Sequence, residues 1–360
     1  MNFDFSDDQK FLGNEVRKFL DAECTSQHVR AVLDADDVPY HKDLWDKIVE
    51  MGWLGTNIPE AYGGLGLGML ELCVIAEEMG RALTPVPFAS TAYFFSEAIN
   101  MAGSEEDKTA LLANIVSGEV LGCYASSEGP GAIETQSLQT RFSGTHLTGV
   151  KIPVTDGDIA THAIVLAKEG DAASLVLVDL KEASVSRKSV KTLDPTRSHA
   201  ELIFDNTPAK RLGSAGDGGA LHDAVMNRAA VLLSFEQLGG AARCLEMANH
   251  YAKERYAFGR PIGGNQAIKH KLADMYVKNE IARSNSYYVA WALSTDAPEL
   301  SEAAAARLAA SEAYWYAAKE NIQTHGGMGF TWAVDCHLFY RRAKLLAVQA
   351  GGPPVWKEKL

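Results

Sequence analysis

The chain has 360 residues, 47% of them hydrophobic, and a formal charge of -12. That length supports a large core and two or three domains. The acidic balance excludes nucleic acid as a partner, because no basic stretch is present to neutralise phosphates. No apolar run reaches the roughly 18 residues that span a bilayer. The five cysteines, Cys24, Cys73, Cys123, Cys244 and Cys336, lie far apart with no CxxC spacing. They read as reduced core thiols and not as a zinc or redox motif. The first ten residues are acidic and lack the apolar stretch of a secretory signal, so the expected class is a soluble cytoplasmic protein of bacterial type.

In chain order, Ser6-Asp-Asp-Gln9 is a helix N-cap pattern, and Phe11, Val16, Phe19 and Leu20 follow at helix-like spacing. A second helical run carries Leu44, Trp45, Ile48 and Val49 and ends near Met51-Gly52. The segment Ile58-Pro-Glu-Ala-Tyr-Gly-Gly-Leu-Gly66 is too rich in glycine for a helix and predicts a loop. Another helix runs from about Met69 to Arg81 and closes before Pro85 and Pro87. After Gly118 the period shortens toward two, in Ala163-Ile-Val-Leu-Ala167, Ser174-Leu-Val-Leu-Val178 and Glu201-Leu-Ile-Phe204. Such short runs between Gly and Asp clusters predict a small sheet or barrel. Gly213-Ser-Ala-Gly-Asp-Gly-Gly219 marks a boundary, and long alanine-rich helices fill about 221–348. Pro353-Pro354 reads as the end of helical structure.

Two C-terminal stretches carry most of the chemistry. One is Arg255-Tyr-Ala-Phe-Gly-Arg-Pro-Ile262 with Gln266-Ala-Ile-Lys-His-Lys-Leu-Ala-Asp-Met275. The other is Gln323-Thr-His-Gly-Gly-Met-Gly-Phe330 with Tyr340-Arg-Arg-Ala-Lys344 and Gln349-Ala-Gly-Gly352. A guanidinium such as Arg255 pairs with a pyrophosphate through a planar fork of donors. Gly326-Gly327 leaves backbone N–H groups open to an anion. Taken singly, Arg255 also reads as a helix stop and the glycine pair as a turn. His270 and His325 read as structural.

With Met51-Gly-Trp-Leu-Gly55, Ile58-Pro-Glu-Ala-Tyr-Gly-Gly64, Glu77-Glu-Met-Gly-Arg81 and Asp194-Pro-Thr-Arg-Ser198, these stretches resemble the acyl-CoA dehydrogenase family over nearly the whole chain. The resemblance implies an α+β fold with an N-terminal helical domain (1–118), a central β domain (119–220) and a C-terminal four-helix bundle (221–360). It implies FAD shared across a subunit boundary, with Arg255, Phe258, Gln266, Gln323, Gly326 and Gly327 holding the pyrophosphate and adenosine. The family's flavin-ring loop resembles Tyr124-Ala-Ser-Ser-Glu-Gly-Pro-Gly131. Here Ser127 and Glu128 survive, but the rest is scrambled into Ala132-Ile-Glu-Thr135. Where members carry a Trp-Ile-Thr-like triplet, this chain has Pro153-Val154-Thr155. Thr155 keeps the hydroxyl, but Pro153 offers neither N–H nor a large π-surface. The ring face either works in relaxed form, with Thr155, Ser126 and Ser127 as donors, or binds no flavin.

The reaction implied removes an α-proton, which needs a positioned base. The family's two positions for that glutamate fall on Ala350 and Ala229. Glu236, seven residues after Ala229, is the remaining candidate, roughly 10 Å along the same helix face; the alternative is a buried structural glutamate. The implied protein is the catalytically silent or smaller subunit of a heteromeric enzyme, assembled as α2β2 and acting on bulky or steroid-derived acyl-CoA. A second dehydrogenase-like chain brings the base, and an electron-transfer flavoprotein or similar acceptor takes the electrons. A self-sufficient homo-oligomer using Glu236 and a flavin-free assembly subunit are the other two readings.

Overall fold

The computed structural model describes residues 5–35, 37–295 and 301–360, leaving aside the side chains of 301 and 302. The first four residues of the acidic start, and residues 296–300 within the stretch expected to hold long helices, lie outside the described residues. The N-terminal segment holds α1 (Asp7–Glu23), α2 (Ser26–Leu33), α3 (Lys42–Glu50), α4 (Met69–Ala82), α5 (Ser96–Ala102) and α6 (Glu105–Val116). A π-helical turn, Ala89–Phe95, leads into α5. The expected cap of α1 is a reciprocal capping box: Gln9 N–H donates to Ser6 Oγ, and Ser6 N–H to the Gln9 side chain. Val16 and Leu20 are buried, but Phe11 is exposed. Five positions separate Phe11 from Val16, which puts the ring well off the buried stripe.

The central segment supplies β1 (Gly122–Ala125), β2 (Arg141–Phe142), β3 (His146–Thr155), β4 (His162–Glu169), β5 (Ala172–Asp179), β6 (Val185–Ser189), β7 (His199–Pro208) and β8 (Lys210–Leu212). They form one sheet in the order β6-β7-β3-β2-β4-β5-β8, with β1 pairing parallel to β4. The C-terminal segment holds α7 (Gly218–Glu254), a hairpin of β9 (Tyr256–Ala257) and β10 (Arg260–Pro261), α8 (Gln266–Ser294), α9 (Ser301–His325), α10 (Cys336–Val348) and α11 (Pro353–Glu358). The last helix corrects the expectation for Pro353-Pro354. Proline lacks only an N–H that the first helical turn leaves unbonded anyway, so Pro353 opens a short helix.

The order helical, β, helical holds along the chain, while packing groups the elements differently. One compact unit takes the described residues up to Val29, Met69–Thr84 and everything from Ala230; the other takes Arg30–Gly68 and Pro85–Ala229. In the first unit α4 is tied in three directions by one short stretch. Glu77 accepts from Arg283 of α8 at 2.9 and 2.5 Å, and Glu78 accepts from Arg17 of α1 at 2.9 and 2.6 Å. Arg81 donates to Glu246 of α7 at 2.7 and 2.6 Å. Between them α4 and α7 touch backbone to backbone. A Cβ on Gly80 would sit 1.9 Å from the Glu236 carbonyl oxygen, and one on Gly239 would sit 1.8 Å from that of Glu77.

In the second unit the sheet encloses a core of Leu147, Val154, Val165, Val176, Leu202 and Phe204. Lys151 of β3 is buried with them. It donates to Glu128 at 2.8 Å and to the Ser126 carbonyl at 3.1 Å. Glu128 also accepts from the N–H groups of Gln139 (2.7 Å) and Thr140 (2.9 Å). Burial alone would raise Glu128; the backbone N–H of Gln139, the Lys151 ammonium and Thr140 outweigh it and hold the carboxyl at about 2. Burial brings Lys151 down to about 8 against the pull of Glu128.

Two outcomes follow from these contacts. Gly239→Ala must push α7 off α4 and is expected to cost about 3 kcal/mol, read as a lower melting midpoint; an unchanged midpoint counts against the crossing. The folded pKa of Glu128 lies below its unfolded value, so its stabilisation is complete above about pH 4.3 and fades as pH falls toward 2. Glu128→Gln leaves Lys151 buried without a counter-ion and is expected to cost about 3 kcal/mol at pH 7. Urea titrations of both proteins should show that difference shrinking below about pH 4.

Candidate functional site

Six of the residues singled out by sequence gather at one end of the first unit, where α7 stops, α8 starts and α9 stops. The Tyr251 ring near the end of α7 stacks on His325 at 4.2 Å, and His325 Nδ1 lies 2.9 Å from the Asn321 carbonyl. That contact sets Gln323 and Gly326-Gly327 beside the segment carrying Arg255. Arg255 N–H continues the helix to the Tyr251 carbonyl, and its own carbonyl accepts from Ile262 N–H, closing the β9–β10 hairpin. The following turn, Ile262–Gly264, rests on the end of α7, since a Cβ on Gly263 would meet the Ala252 carbonyl at 2.9 Å. Gln266 then opens α8, and Lys271 on the next turn reaches Glu320 of α9 at 2.7 Å.

All six side chains or glycines face outward: Arg255, Phe258, Gln266, Gln323, Gly326 and Gly327 are exposed. Phe258 and Gly259 form the hairpin tip with φ of 54 and 77°. Two successive positive φ values make the tight turn that suits the twist of a two-residue hairpin, but glycine is the residue that tolerates them. The ring so held is fully exposed. A Cβ on Gly326 or Gly327 would meet nothing within 4 Å, so the backbone there is open to an approaching ligand. One guanidinium, two amides, an uncovered glycine backbone and the positive end of α8 make a set suited to a pyrophosphate and its nucleoside. This chemistry fits the tail of a dinucleotide such as FAD.

The ring-side residues lie in the second unit and are engaged with their neighbours. Ser127 Oγ donates to the Gly129 carbonyl at 3.0 Å, and Ile152 N–H donates to the Ser127 carbonyl, holding the loop to β3. Thr155 Oγ1 lies 3.2 Å from His199 Nε2, while His199 Nδ1 faces the Arg197 carbonyl at 3.0 Å. Burial lowers the pKa of His199 and favours the neutral ring. The carbonyl then assigns the proton to Nδ1, and Thr155 becomes the donor to Nε2. The Thr155 proton expected for a flavin is therefore spent within the chain. Pro153 is exposed.

The base positions are equally specific. Ala229 is fully buried. Ala350 has φ of 58°, and its carbonyl, with that of Gly351, accepts from the Trp356 indole at 3.1 Å. Neither methyl can take a proton. Glu236 is 0% exposed, and Arg342 of α10, 1% exposed, donates to it at 3.2 Å. The candidate base thus has an internal guanidinium for a partner.

Sequence reasoning missed two elements. One is Lys151, whose signal was a cation on the inward register of β3. The other is the pair Tyr124 and His222, whose rings stack at 5.9 Å with Tyr Oη 3.0 Å from His Nδ1; 98 residues separate them, and no local pattern announces such a contact.

Residues 6–119 match the family model described as "Acyl-CoA dehydrogenase, N-terminal domain", and residues 216–353 match "Acyl-CoA dehydrogenase, C-terminal domain". The acyl-CoA dehydrogenase IpdE2 of Mycobacterium tuberculosis is 33% identical over 338 residues, covering 94% of this chain and 91% of the relative. A chain from a variant of the Tcur3481-Tcur3483 steroid ACAD superposes with a TM-score of 0.90 at 30% identity, over 98% of this chain and 96% of that one. A chain of the ChsE4-ChsE5 complex from Mycobacterium tuberculosis gives 0.91 at 27%, over 100% and 97%. Agreement of this extent, at both ends and along nearly the full length, means that the chain belongs to the acyl-CoA dehydrogenase family of FAD-dependent oxidoreductases.

Proposed function

We propose that this chain is the catalytically silent subunit of a heteromeric acyl-CoA dehydrogenase, assembled as α2β2 in the cytoplasm. It grips the pyrophosphate and adenosine of an FAD whose flavin ring rests on the partner subunit. The observation that carries this reading is an asymmetry. The six tail-binding positions face outward, while both positions for the family's glutamate are alanine and the ring-side hydroxyls of Ser127 and Thr155 donate within the chain. Two of the structural neighbours are named for two components, which supports a partner, and one is named a steroid ACAD, which supports a bulky, steroid-derived acyl-CoA as substrate. An electron-transfer flavoprotein or similar carrier is the acceptor.

Desaturation takes a proton from the α carbon of the thioester and a hydride from the β carbon, and FAD, when bound, would supply the hydride acceptor. Arg255 would hold the pyrophosphate, with the uncovered backbone at Gly326-Gly327 beside it, and Gln266 and Gln323 would hold nucleoside or phosphate edges. Phe258 covers the apolar part from the hairpin tip. The proton leaves to a carboxylate of the partner, because this chain has methyl groups at Ala229 and Ala350.

Co-expression with a dehydrogenase-like partner encoded nearby tests the proposal. The complex should be yellow and active, and the chain alone inactive; a yellow, active homo-oligomer overturns the reading. In the complex, Arg255→Ala should weaken FAD retention about tenfold or more, from the loss of a charge-assisted contact of about 1.5–3 kcal/mol. FAD content after gel filtration measures it, and an unchanged content would favour a flavin-free assembly role. Glu236→Gln separates the remaining alternative. If Glu236 is the counter-ion of Arg342, the variant loses about 3 kcal/mol of stability, seen in the melting midpoint; a fully stable variant with FAD bound and turnover abolished would identify it as the base.

A further inference from the structure

The long helices α7 and α9 run side by side in one direction, and four contacts hold them in a single register. Gln237 Nε2 donates to Ser311 Oγ at 3.2 Å. A Cβ on Gly240 would lie 2.3 Å from the Tyr314 ring, so that ring rests on the bare backbone of α7. Asn321 Nδ2 meets Met247 Sδ at 3.8 Å, and the Tyr251 and His325 rings stack at 4.2 Å with 27° between their planes. The partners in every pair are 74 residues apart. Along each helix their positions advance by three, seven and four, the spacing of one helical face. With a constant offset, neither helix can slide without breaking all four contacts together.

The last rung stands directly before the cofactor residues. The Tyr251 carbonyl accepts from Arg255 N–H at 2.8 Å, where α7 ends. His325 closes α9, and Gly326 follows at φ 60°. The turn Gly326–Phe330 folds back on that helix, since a Cβ on Gly329 would meet the Ile322 carbonyl oxygen at 2.4 Å and His325 Cβ at 3.0 Å. The buried His325 ring is pinned as well as stacked. Its Nδ1 lies 2.9 Å from the carbonyl of Asn321, the rung before, and a carbonyl partner makes that nitrogen the donor. One aromatic contact thus fixes how far the Arg255 backbone stands from Gly326-Gly327.

We propose that the Tyr251–His325 stack is a positioning element, a spacer that sets Arg255 and Gly326-Gly327 to grip two linked phosphates at once. Resting on the assignment of these residues to an FAD tail, this role adds a selectivity: the chain by itself binds adenosine diphosphate in preference to the monophosphate. A single phosphate reaches one grip, whereas a diphosphate engages the guanidinium and the glycine backbone together. A gap fixed in advance also avoids the cost of ordering the two grips on binding.

Isothermal titration of the full chain, or of its complex freed of flavin, with ADP and AMP in magnesium-free buffer supplies the test. The parent should bind ADP about tenfold or more tighter than AMP. Tyr251→Leu and His325→Leu leave an apolar side chain without a flat ring to stack. Each should bring ADP to within about twofold of AMP and leave AMP unchanged. The double variant should be no worse than either single one, as for partners in one contact. His325→Phe keeps the ring and should keep the preference. Where a leucine variant fails to fold by circular dichroism, His325→Asn takes its place, because it removes the ring and retains a polar group toward Asn321. A parent that binds ADP no better than AMP, leucine variants that lose ADP and AMP alike or keep the parent's preference, or a His325→Phe that behaves as His325→Leu overturns the proposal. Arg255→Ala separates the two levels. ADP affinity indifferent to Arg255 removes the tail site itself, while affinity lost with Arg255→Ala and kept in the leucine variants removes only the spacer.

Discussion

The first unit depends on the approach of α4 to α7 at Gly80 and Gly239, where each helix meets a carbonyl of the other with no room for a methyl. Such contact fixes the helices in translation as well as in angle, because a glycine notch accepts the opposing backbone at one place only. The charged residues on either side of Gly80 then act from known distances. Glu77 and Glu78 reach α8 and α1, and Arg81 reaches α7. Behind the crossing, the side chain of Glu236 turns to Arg342, and the neighbouring Gln237 accepts from Arg307 of α9. Burial brings Arg307 down to about 9 even with Glu236 opposing. A charged interior of this kind gives weak net stability but penalises every packing that would leave one charge alone. Its effect is to select one arrangement of α7, α9 and α10. The ends of these helices, with Arg255 and Gly326-Gly327, are positioned as a consequence.

That rigidity gives meaning to the contrast between the two halves of the cofactor site. The tail-binding set proposed above lies on helix ends held by the bundle, so its donors can stay exposed without collapsing onto the chain. On the ring side the hydroxyls sit on a loop and a strand end, where intrachain acceptors are close. Ser127 finds the Gly129 carbonyl and Thr155 finds His199. Lys151 and Glu128 complete the local satisfaction and make the loop a structural part of the β domain.

The legible part of this architecture was the local part. Ser6 and Gln9 lie three residues apart, the Arg255 hairpin is contiguous, and the glycine run at Gly326 is a single motif, so sequence carries all of them. Glu77-Glu-Met-Gly-Arg81 was also visible as a motif, but its content was not. Arg17, Arg283 and Glu246 are 61, 206 and 165 residues from their partners, and no spacing rule connects them. Glu236 illustrates the same limit. Its apolar surroundings suggested either a tuned base or a buried pair, and the guanidinium that decides its environment lies 106 residues downstream. Pro353 misled for a different reason: proline stops a helix from within but suits its first position, and the distinction rests on where the preceding chain ends.

Backbone strain completes the case for a surface meant to be covered. Phe258 occupies the left-handed region, where a non-glycine residue costs of order 1 kcal/mol, and its ring is fully exposed. Glycine in its place would relieve the strain and remove an exposed aromatic, so folding of the isolated chain gives no reason for phenylalanine. Ala350 also lies in that region, but there the strained carbonyl receives the Trp356 indole, which is buried against Ala230 and Ala304. The two positions differ in where the compensation is found. For Ala350 it is inside the molecule; for Phe258 the FAD tail proposed beside Arg255 would supply it, since an adenine ring has the flat, polarisable face that an edge or stack of phenylalanine favours.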